Sequence, residues 1–217
     1  MRTNPFYDAW LFLIGATEDH AKSGVGYLLM VLFLALLAAS LAIAWRNWQQ
    51  DPGQRKSEHL AIWLMRVMIG AMWFQGSLWK LPLPVSEPFQ FWTGELANYA
   101  AFDAHKWLVK TVFLPLLPVI DPLVFLLEMS LGIAFILGFL LRPLAVLGML
   151  QAAHLWLGLY HHPSEWPWLY VFLIFVQAFF LVSNAGRSLG LDGLLSREPM
   201  GPFSGNGRIA RLYRRLA

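Results

Sequence analysis

Apolar stretches recur along this chain, each about 20 residues long, the length that a helix needs to cross the hydrocarbon core of a bilayer. The strands of a membrane barrel would instead appear as alternating segments of about ten residues. A hydrophobic fraction of 58% with only 13% charged residues agrees with a membrane chain, because soluble domains carry about 25% charged residues. The sequence therefore predicts an all-α integral membrane protein.

The apolar stretches divide into five predicted transmembrane spans. They cover residues 25–45, 59–80, 122–141, 143–160 and 166–183. The second span is expected to stop at Leu81-Pro82-Leu83-Pro84, because consecutive X-Pro units disfavour helix. Arg142, which precedes a proline, is the predicted turn between the third and fourth spans, and Asn184-Ala185-Gly186 is the predicted stop after the fifth.

These spans organise the chain into three regions. Residues 1–58 hold an interfacial segment, the first span and a polar turn; residues 59–193 form a four-helix membrane domain with a long connection at 82–121; residues 194–217 are a basic tail. The aromatic residues of the connection predict either an interfacial platform or a substrate lid. Basic residues cluster in the polar turn and the tail, which predicts a cytoplasmic C-terminus, with the N-terminus and the long connection outside.

The composition of the chain excludes several kinds of catalytic group and binding partner. The chain contains no cysteine, so it offers no thiol nucleophile, no disulfide relay and no thiolate ligand for an iron–sulfur cluster. Its formal charge of +3 follows from the positive-inside pattern, so the predicted partner is the lipid bilayer and not nucleic acid. His154 and His161 lie a heptad apart without a second carboxylate nearby, so no metal site is predicted.

The second predicted span carries a basic residue near each end. Arg66 and Lys80 are 14 positions apart, and with Gly70, Trp73 and Ser77 they form one stripe of a helix. Charged and small residues on one face of a membrane helix favour contact with protein over contact with lipid. This stripe is therefore expected to face the other spans.

The position of each polar residue along its predicted span gives its depth in the membrane, and by depth the polar residues fall into two layers. The outer layer holds Lys80, Glu128, His154, His161 and Tyr170, and the inner layer holds Arg66, Asn184, Arg187 and Asp192. One hypothesis is structural: Lys80 pairs with Glu128, and Arg66 pairs with Asp192 or Asn184, to fix helix order.

The other hypothesis is chemical, and both remain open. In it the outer layer handles a proton or an anion beside a bound quinone, with Glu128 and His154 exchanging protons and Lys80 stabilising an anion. The quinone-binding residues would be Trp73, Ser77, Tyr170 and His161.

A set of short motifs carries a family resemblance over residues 59–193. The motifs are Arg66-x-x-x-Gly70, Gly76-Ser77-Leu78-Trp79-Lys80-Leu81, Glu128-x-x-x-Gly132 with Gly138 and Arg142, and Gly186-Arg187-Ser188-Leu189-Gly190-Leu191-Asp192. In order and spacing they resemble the DoxX/DoxD family of small bacterial and archaeal membrane proteins. The resemblance implies a four-helix transmembrane bundle in the cytoplasmic membrane, to which the first span is an addition.

The ending Trp79-Lys80-Leu81-Pro82 and the long aromatic connection resemble the DoxD branch most. That resemblance implies the membrane subunit of a thiosulfate:quinone oxidoreductase, with quinone as cofactor and an extracytoplasmic partner subunit. The alternative is a non-catalytic accessory or assembly subunit of a larger membrane respiratory complex, docked through the first span and the aromatic connection. A transporter is less favoured, because the spans are few and paired broken helices are lacking.

Overall fold

The computed structural model describes residues 4–13, 26–197, 203 and 207–217, and these residues form helices, turns and loops without a strand. The helices are α1 (Pro5–Leu13), α2 (Gly26–Gln50), α3 (Ser57–Ser77), α4 (Glu87–Asn98), α5 (Asp103–Leu108), α6 (Leu117–Leu137), α7 (Leu141–Gly158), α8 (Pro167–Val182), α9 (Leu191–Arg197) and α10 (Arg208–Leu216). The predicted all-helical class is confirmed. The remaining parts of the predicted interfacial segment 1–23 and of the tail 194–217 lie outside the described residues.

The helix limits follow the chemistry of their ends. α2 continues past the predicted end at residue 45 to Gln50, because no helix breaker occurs before Asp51-Pro52. α3 ends at Ser77 and continues as a 3₁₀ turn, Leu78–Lys80, before the prolines. α8 ends at Val182, and Asn184 follows in the left-handed region with φ of 50°, so the predicted stop is present.

The predicted turn at Arg142 and Pro143 is wrong. The chain reverses at Gly138 and Leu140, whose φ angles of 71° and 48° place both residues in the left-handed region. Glycine adopts that conformation without steric penalty, so Gly138 ends α6. α7 begins at Leu141, and Pro143 therefore lies in the first helical turn, where a missing N–H leaves no hydrogen bond unmade.

The long connection at residues 82–121 is largely helical. The Ser86 side chain accepts a hydrogen bond from Phe89 N and caps α4. α5 is followed by a π-helical turn, Val109–Phe113, and α6 begins at Leu117, earlier than predicted. Leu96 of α4 packs with Val109 and with Leu159 beyond α7, so the connection is held against the bundle.

The long helices pack as two pairs, α3 with α6 and α7 with α8. Glycines bring the first pair into backbone contact. A Cβ atom on Gly70 would lie 2.7 Å from Ile136 N, and one on Gly132 would lie 2.7 Å from Phe74 N. The two pairs join near the 138–140 turn through a shared apolar core that contains Phe135 and Phe180, whose rings meet edge to face.

The additional first helix, α2, packs against the α3–α6 pair. Phe33 stacks beside Phe74 with ring centroids 5.1 Å apart, and Ser40 Oγ donates a hydrogen bond to Ile136 O at 2.7 Å. Ser40 Oγ also accepts a hydrogen bond from Trp63 Nε1. These contacts show what the first predicted span docks against within the chain.

Two helices among the described residues are long and apolar enough to cross a membrane. They are Tyr27–Gln50 and Leu117–Leu137; Pro167–Val182 is apolar but shorter. α3 contains Glu58 and the buried Arg66, which lower its apolar character. The bundle of five spans stays a prediction.

Candidate functional site

A cavity of about 550 Å³ lies between the two helix pairs, beneath α4. Its volume lies within the range of roughly 300–1,000 Å³ that is usual for small-molecule sites. Most of its wall is aromatic or aliphatic, including Trp73, Trp79, Phe89, Trp92, Phe113 and Leu155. Its polar lining includes Lys80, Glu128, Gln151, His154, Glu165 and Tyr170. Of the predicted outer layer, the structure therefore brings together Lys80, Glu128, His154 and Tyr170.

Lys80 and Glu128 form a buried ion pair at the wall of this cavity. Lys80 Nζ donates to Glu128 Oε2 at 2.5 Å, and the two side chains are 3% and 5% exposed. Lys80 Nζ also donates to Gly76 O at 3.3 Å, and Gln151 Nε2 donates to Glu128 Oε1 at 3.0 Å. Both carboxylate oxygens thus accept hydrogen bonds, as a buried ion pair requires. The predicted contact between Lys80 and Glu128 is confirmed.

Asp121 lies on the same helix as Glu128 and was not predicted as a site residue. It lies 7 residues before Glu128, and in an α-helix that spacing places both carboxylates on one face. Asp121 is fully buried; its Oδ2 accepts a hydrogen bond from Ser86 N at 2.9 Å, and its Oδ1 has no hydrogen-bond partner. Its charge interacts with those of Lys80 and Glu128. The cluster therefore contains two carboxyl groups and one ammonium group.

A pair of histidines joins the cavity wall to α5. The His154 ring lies 4.9 Å from the His105 ring and 5.0 Å from the Phe113 ring, measured between centroids. His105 was not predicted, because it belongs to the connection and not to a span. Burial lowers the pKa of His105 below its usual value, and its Nε2 has no hydrogen-bond partner.

Among the residues predicted to bind quinone, Trp73 and Tyr170 line the cavity. The Tyr170 hydroxyl donates a hydrogen bond to Glu165 Oε2 at 2.8 Å, which holds the ring in place. Trp73 is 4% exposed.

Ser77 and His161 do not line the cavity, which corrects their predicted roles. Ser77 is fully buried, and its hydroxyl donates to Phe74 O at 2.8 Å in its own helix, as serine hydroxyls in helices commonly do. His161 follows the end of α7, so it is exposed in the loop, where its ring lies against Tyr160.

Of the predicted inner layer, the structure buries Arg66 and Asp192 and leaves Asn184 half-buried. Arg66 is fully buried, and its Nη1 donates to Phe135 O at 2.6 Å and Ile136 O at 3.2 Å. These carbonyls belong to the last turn of α6, where a cation is favoured by the helix dipole. The predicted pairing of Arg66 with Asp192 or Asn184 shows no hydrogen bond among the described residues, although the charges of Arg66 and Asp192 interact. Arg187 is exposed.

Asp192 instead caps the start of α7. Its carboxylate accepts hydrogen bonds from Leu140 N, Leu141 N and the Tyr213 hydroxyl at 3.0, 3.2 and 2.7 Å. Burial raises the pKa of Asp192, and burial together with this carboxylate raises the pKa of Tyr213. The contact attaches α10 to the turn between the two helix pairs.

Comparison of the chain with protein-family models, with curated proteins and with solved structures gives no match in any of the three. Over the residues that the structure describes, the chain is all-helical, with two helices long and apolar enough to cross a membrane and an internal site around a buried ion pair.

Proposed function

We propose that this protein is the quinone-binding membrane subunit of an oxidoreductase and that the quinone occupies the cavity between the two helix pairs. The observation that carries the proposal is the hydrogen-bonded group of Lys80, Glu128 and Gln151 in an otherwise aromatic cavity. A quinone has a flat apolar ring with carbonyl oxygens at two opposite positions. Aromatic walls suit the ring, and the Lys80 ammonium and Gln151 amide are donors for a carbonyl. The residues present therefore fit a quinone head group.

A bound quinone supplies two-electron chemistry, taking up two electrons and two protons to become a quinol. The chain's part is to hold and deliver protons. Glu128, whose two oxygens accept hydrogen bonds from Lys80 and Gln151, would take up and release a proton at Oε1 or Oε2, and Lys80 Nζ beside it balances the charge that proton exchange creates. Asp121 is a second buried carboxyl group on the same face of α6, and its Oδ1 has no hydrogen-bond partner. With the Lys80 ammonium, the two carboxyl groups are neutral together when one of them holds a proton, so Asp121 and Glu128 are the proposed proton store.

The histidine pair is the proposed route by which this store is refilled. His154 lines the cavity, and its neighbour His105 lies on α5, at the rim of the bundle. An imidazole can take a proton on one ring nitrogen and release one from the other. Protons would pass between the outer surface and the cavity through these two rings.

The electron donor comes from the resemblance to the DoxX/DoxD family, and by that resemblance it is thiosulfate. Thiosulfate is a dianion, whereas the ammonium of Lys80 is already paired with Glu128 and is also close to Asp121. This cavity is unsuited to a second anion, so we place thiosulfate oxidation on the extracytoplasmic partner subunit. The sequence predicts that Lys80 stabilises an anion; in this proposal Lys80 is instead the ion-pair partner of Glu128.

The membrane setting is part of the proposal. Large apolar side chains face outward on all five proposed spans, for example Leu28 at 70%, Met68 at 71%, Leu126 at 56%, Leu150 at 63% and Phe175 at 68% exposed. Such side chains suit contact with lipid tails. By the distribution of basic residues, the N-terminus, α4 and α5 lie outside the cytoplasmic membrane of a bacterium or archaeon, and α10 lies inside.

The test measures quinone reduction by thiosulfate in membranes that contain the protein and its partner. Glu128→Gln is expected to lower kcat at least about a hundredfold while quinone affinity changes little, because a general acid is lost but the shape of the site is kept. Glu87→Gln, a matched change at an exposed residue of α4, is the control. Unchanged turnover in Glu128→Gln, at equal protein abundance, would refute the assignment.

One observation favours the accessory function as a second candidate. The α4–α5 segment exposes Phe91, Phe102 and Trp107 at 59%, 63% and 63%, which suits docking of another protein on the outer side. Purification in mild detergent separates the two functions. A partner that co-purifies, with no quinone bound and no effect of Glu128→Gln on the assembled complex, would support the accessory function over the catalytic one.

A further inference from the structure

The cavity has an opening whose rim is apolar. Three of the residues that line the cavity are also exposed: Gly76 on α3, Pro88 on α4 and Leu169 on α8, the last at 47%. We call these three residues the mouth. α3 packs along α6, and α8 packs along α7, so the mouth lies where the two helix pairs are not in close contact.

Gly76 leaves this opening unfilled. A Cβ atom built on Gly76 would meet no heavy atom within 4 Å, although the residue lies on the cavity wall. Gly70, one and a half turns earlier on the same helix, is in contrast pressed against the backbone of α6. The glycine at position 76 therefore serves no close packing, and its lack of a side chain keeps the mouth open.

The mouth is adjacent to the polar end of the cavity. The carbonyl of Gly76 accepts a hydrogen bond from Lys80 Nζ, and Lys80 and Glu128 are only 2% and 4% exposed. A molecule that placed a polar head at this ion pair would have its remainder directed past Gly76. The rim residues there are apolar, so they suit a hydrocarbon segment and not a charged one.

We propose that the mouth is the passage through which the hydrocarbon tail of a lipid-soluble quinone leaves the cavity, its ring remaining at Lys80 and Glu128. This inference rests on the proposed function and narrows the ligand class to quinones with an isoprenoid or alkyl tail. The quinone enters and leaves sideways, from the lipid, between α3 and α8.

The test compares two probes on the purified protein: a decyl-tailed dimethoxy-methyl-benzoquinone and the same ring without a tail. Binding is followed by the quenching of tryptophan fluorescence, since Trp73, Trp79 and Trp92 line the cavity. Gly76→Leu places a side chain in the mouth without a clash in the helix. Gly94→Leu is the matched control, because a Cβ there also meets nothing within 4 Å and the residue does not line the cavity.

We expect Gly76→Leu to raise the Kd of the tailed probe at least about tenfold, the effect of preventing burial of two or more methylene groups. The Kd of the tail-less probe should change less than about twofold, and Gly94→Leu should change neither. If Gly76→Leu weakens the binding of both probes equally, or does not weaken the binding of the tailed probe, the mouth is not the passage for the tail, while the proposed function stands. If the unaltered protein binds neither probe, the proposed function fails and the mouth fails with it.

Discussion

The cluster of Lys80, Glu128 and Asp121 predicts an asymmetry in stability that a double-mutant cycle can measure. The changes are Lys80→Met, Glu128→Gln and the two together, each close to the volume of the original side chain. Lys80→Met leaves two buried carboxyl groups without their cation, whereas Glu128→Gln leaves Lys80 close to Asp121. The first change should therefore be the more damaging one.

The magnitudes follow from the burial of the pair, whose side chains are 3% and 5% exposed. Removing one partner of a buried ion pair destabilises by about 3–5 kcal/mol, which is the expectation for Lys80→Met. For Glu128→Gln the loss is that of one charged hydrogen bond, about 1.5–3 kcal/mol, because Asp121 remains as counter-ion. Independent changes would then sum to about 4.5–8 kcal/mol. The double variant leaves one buried carboxyl group, Asp121, without a cation, where Lys80→Met leaves two, so it should lose less than that sum.

The assay is equilibrium unfolding in detergent micelles at pH 7, followed by circular dichroism during a titration with denaturing detergent. Lys106→Met and Glu87→Gln repeat the same chemical changes at exposed positions and should leave the transition unmoved. The reasoning is refuted if Glu128→Gln destabilises as much as Lys80→Met, or if the double variant equals the sum of the single ones.

Two further predictions concern packing and pH. Gly132→Ala should destabilise the protein by about 3 kcal/mol or more. The added Cβ would lie 2.7 Å from Phe74 N and 2.8 Å from Phe74 Cα, so α3 and α6 must separate. Unfolding titrations that match those of the unaltered protein would contradict this. The pKa of Tyr213 is raised in the folded state, so its contribution to the free energy of unfolding is complete below the ordinary tyrosine pKa of 10.0. That contribution is lost as pH rises through the folded-state pKa, by up to about 1.4 kcal/mol per pH unit. Tyr213→Phe should flatten that alkaline loss, and equal slopes of stability between pH 9 and 11.5 in the two proteins would refute the contact with Asp192 as its cause.

The sequence predicts the long helices well because apolar length is a strong signal. It offers the Lys80–Glu128 pair as one of two hypotheses, because few groups at that depth can neutralise each other, but it does not fix the helix rotation on which their contact depends. It does not locate the turn after α6, because proline at residue 143 resembles a helix break until its place in a first turn is known. The correct signal was Gly138, the residue whose φ of 71° ends the helix.

Asp121 and His105 escaped prediction for a different reason. Both belong to the connection of residues 82–121, and hydrophobic periodicity does not say which face of the bundle such a segment will cover. Their places depend on α4 and α5 folding over the cavity, a tertiary arrangement. The spacing of 7 residues between Asp121 and Glu128 was the one local signal that could have found the second carboxyl group.

The partners of the two cations on α3 have a consequence for the biogenesis of the chain. Arg66 Nη1 donates to the carbonyls of Phe135 and Ile136, whereas Arg66 Nε and Nη2 have no hydrogen-bond partner, and Lys80 Nζ donates to Glu128. Both cations therefore take hydrogen-bond acceptors from α6. In the proposed membrane setting α3 leaves the translocon before α6, with Arg66 inside the helix and Lys80 just beyond its end, and hydrocarbon disfavours both cations. We expect α3 to remain in contact with the translocon until α6 has been synthesised, and the two helices to enter the lipid together as a preassembled pair.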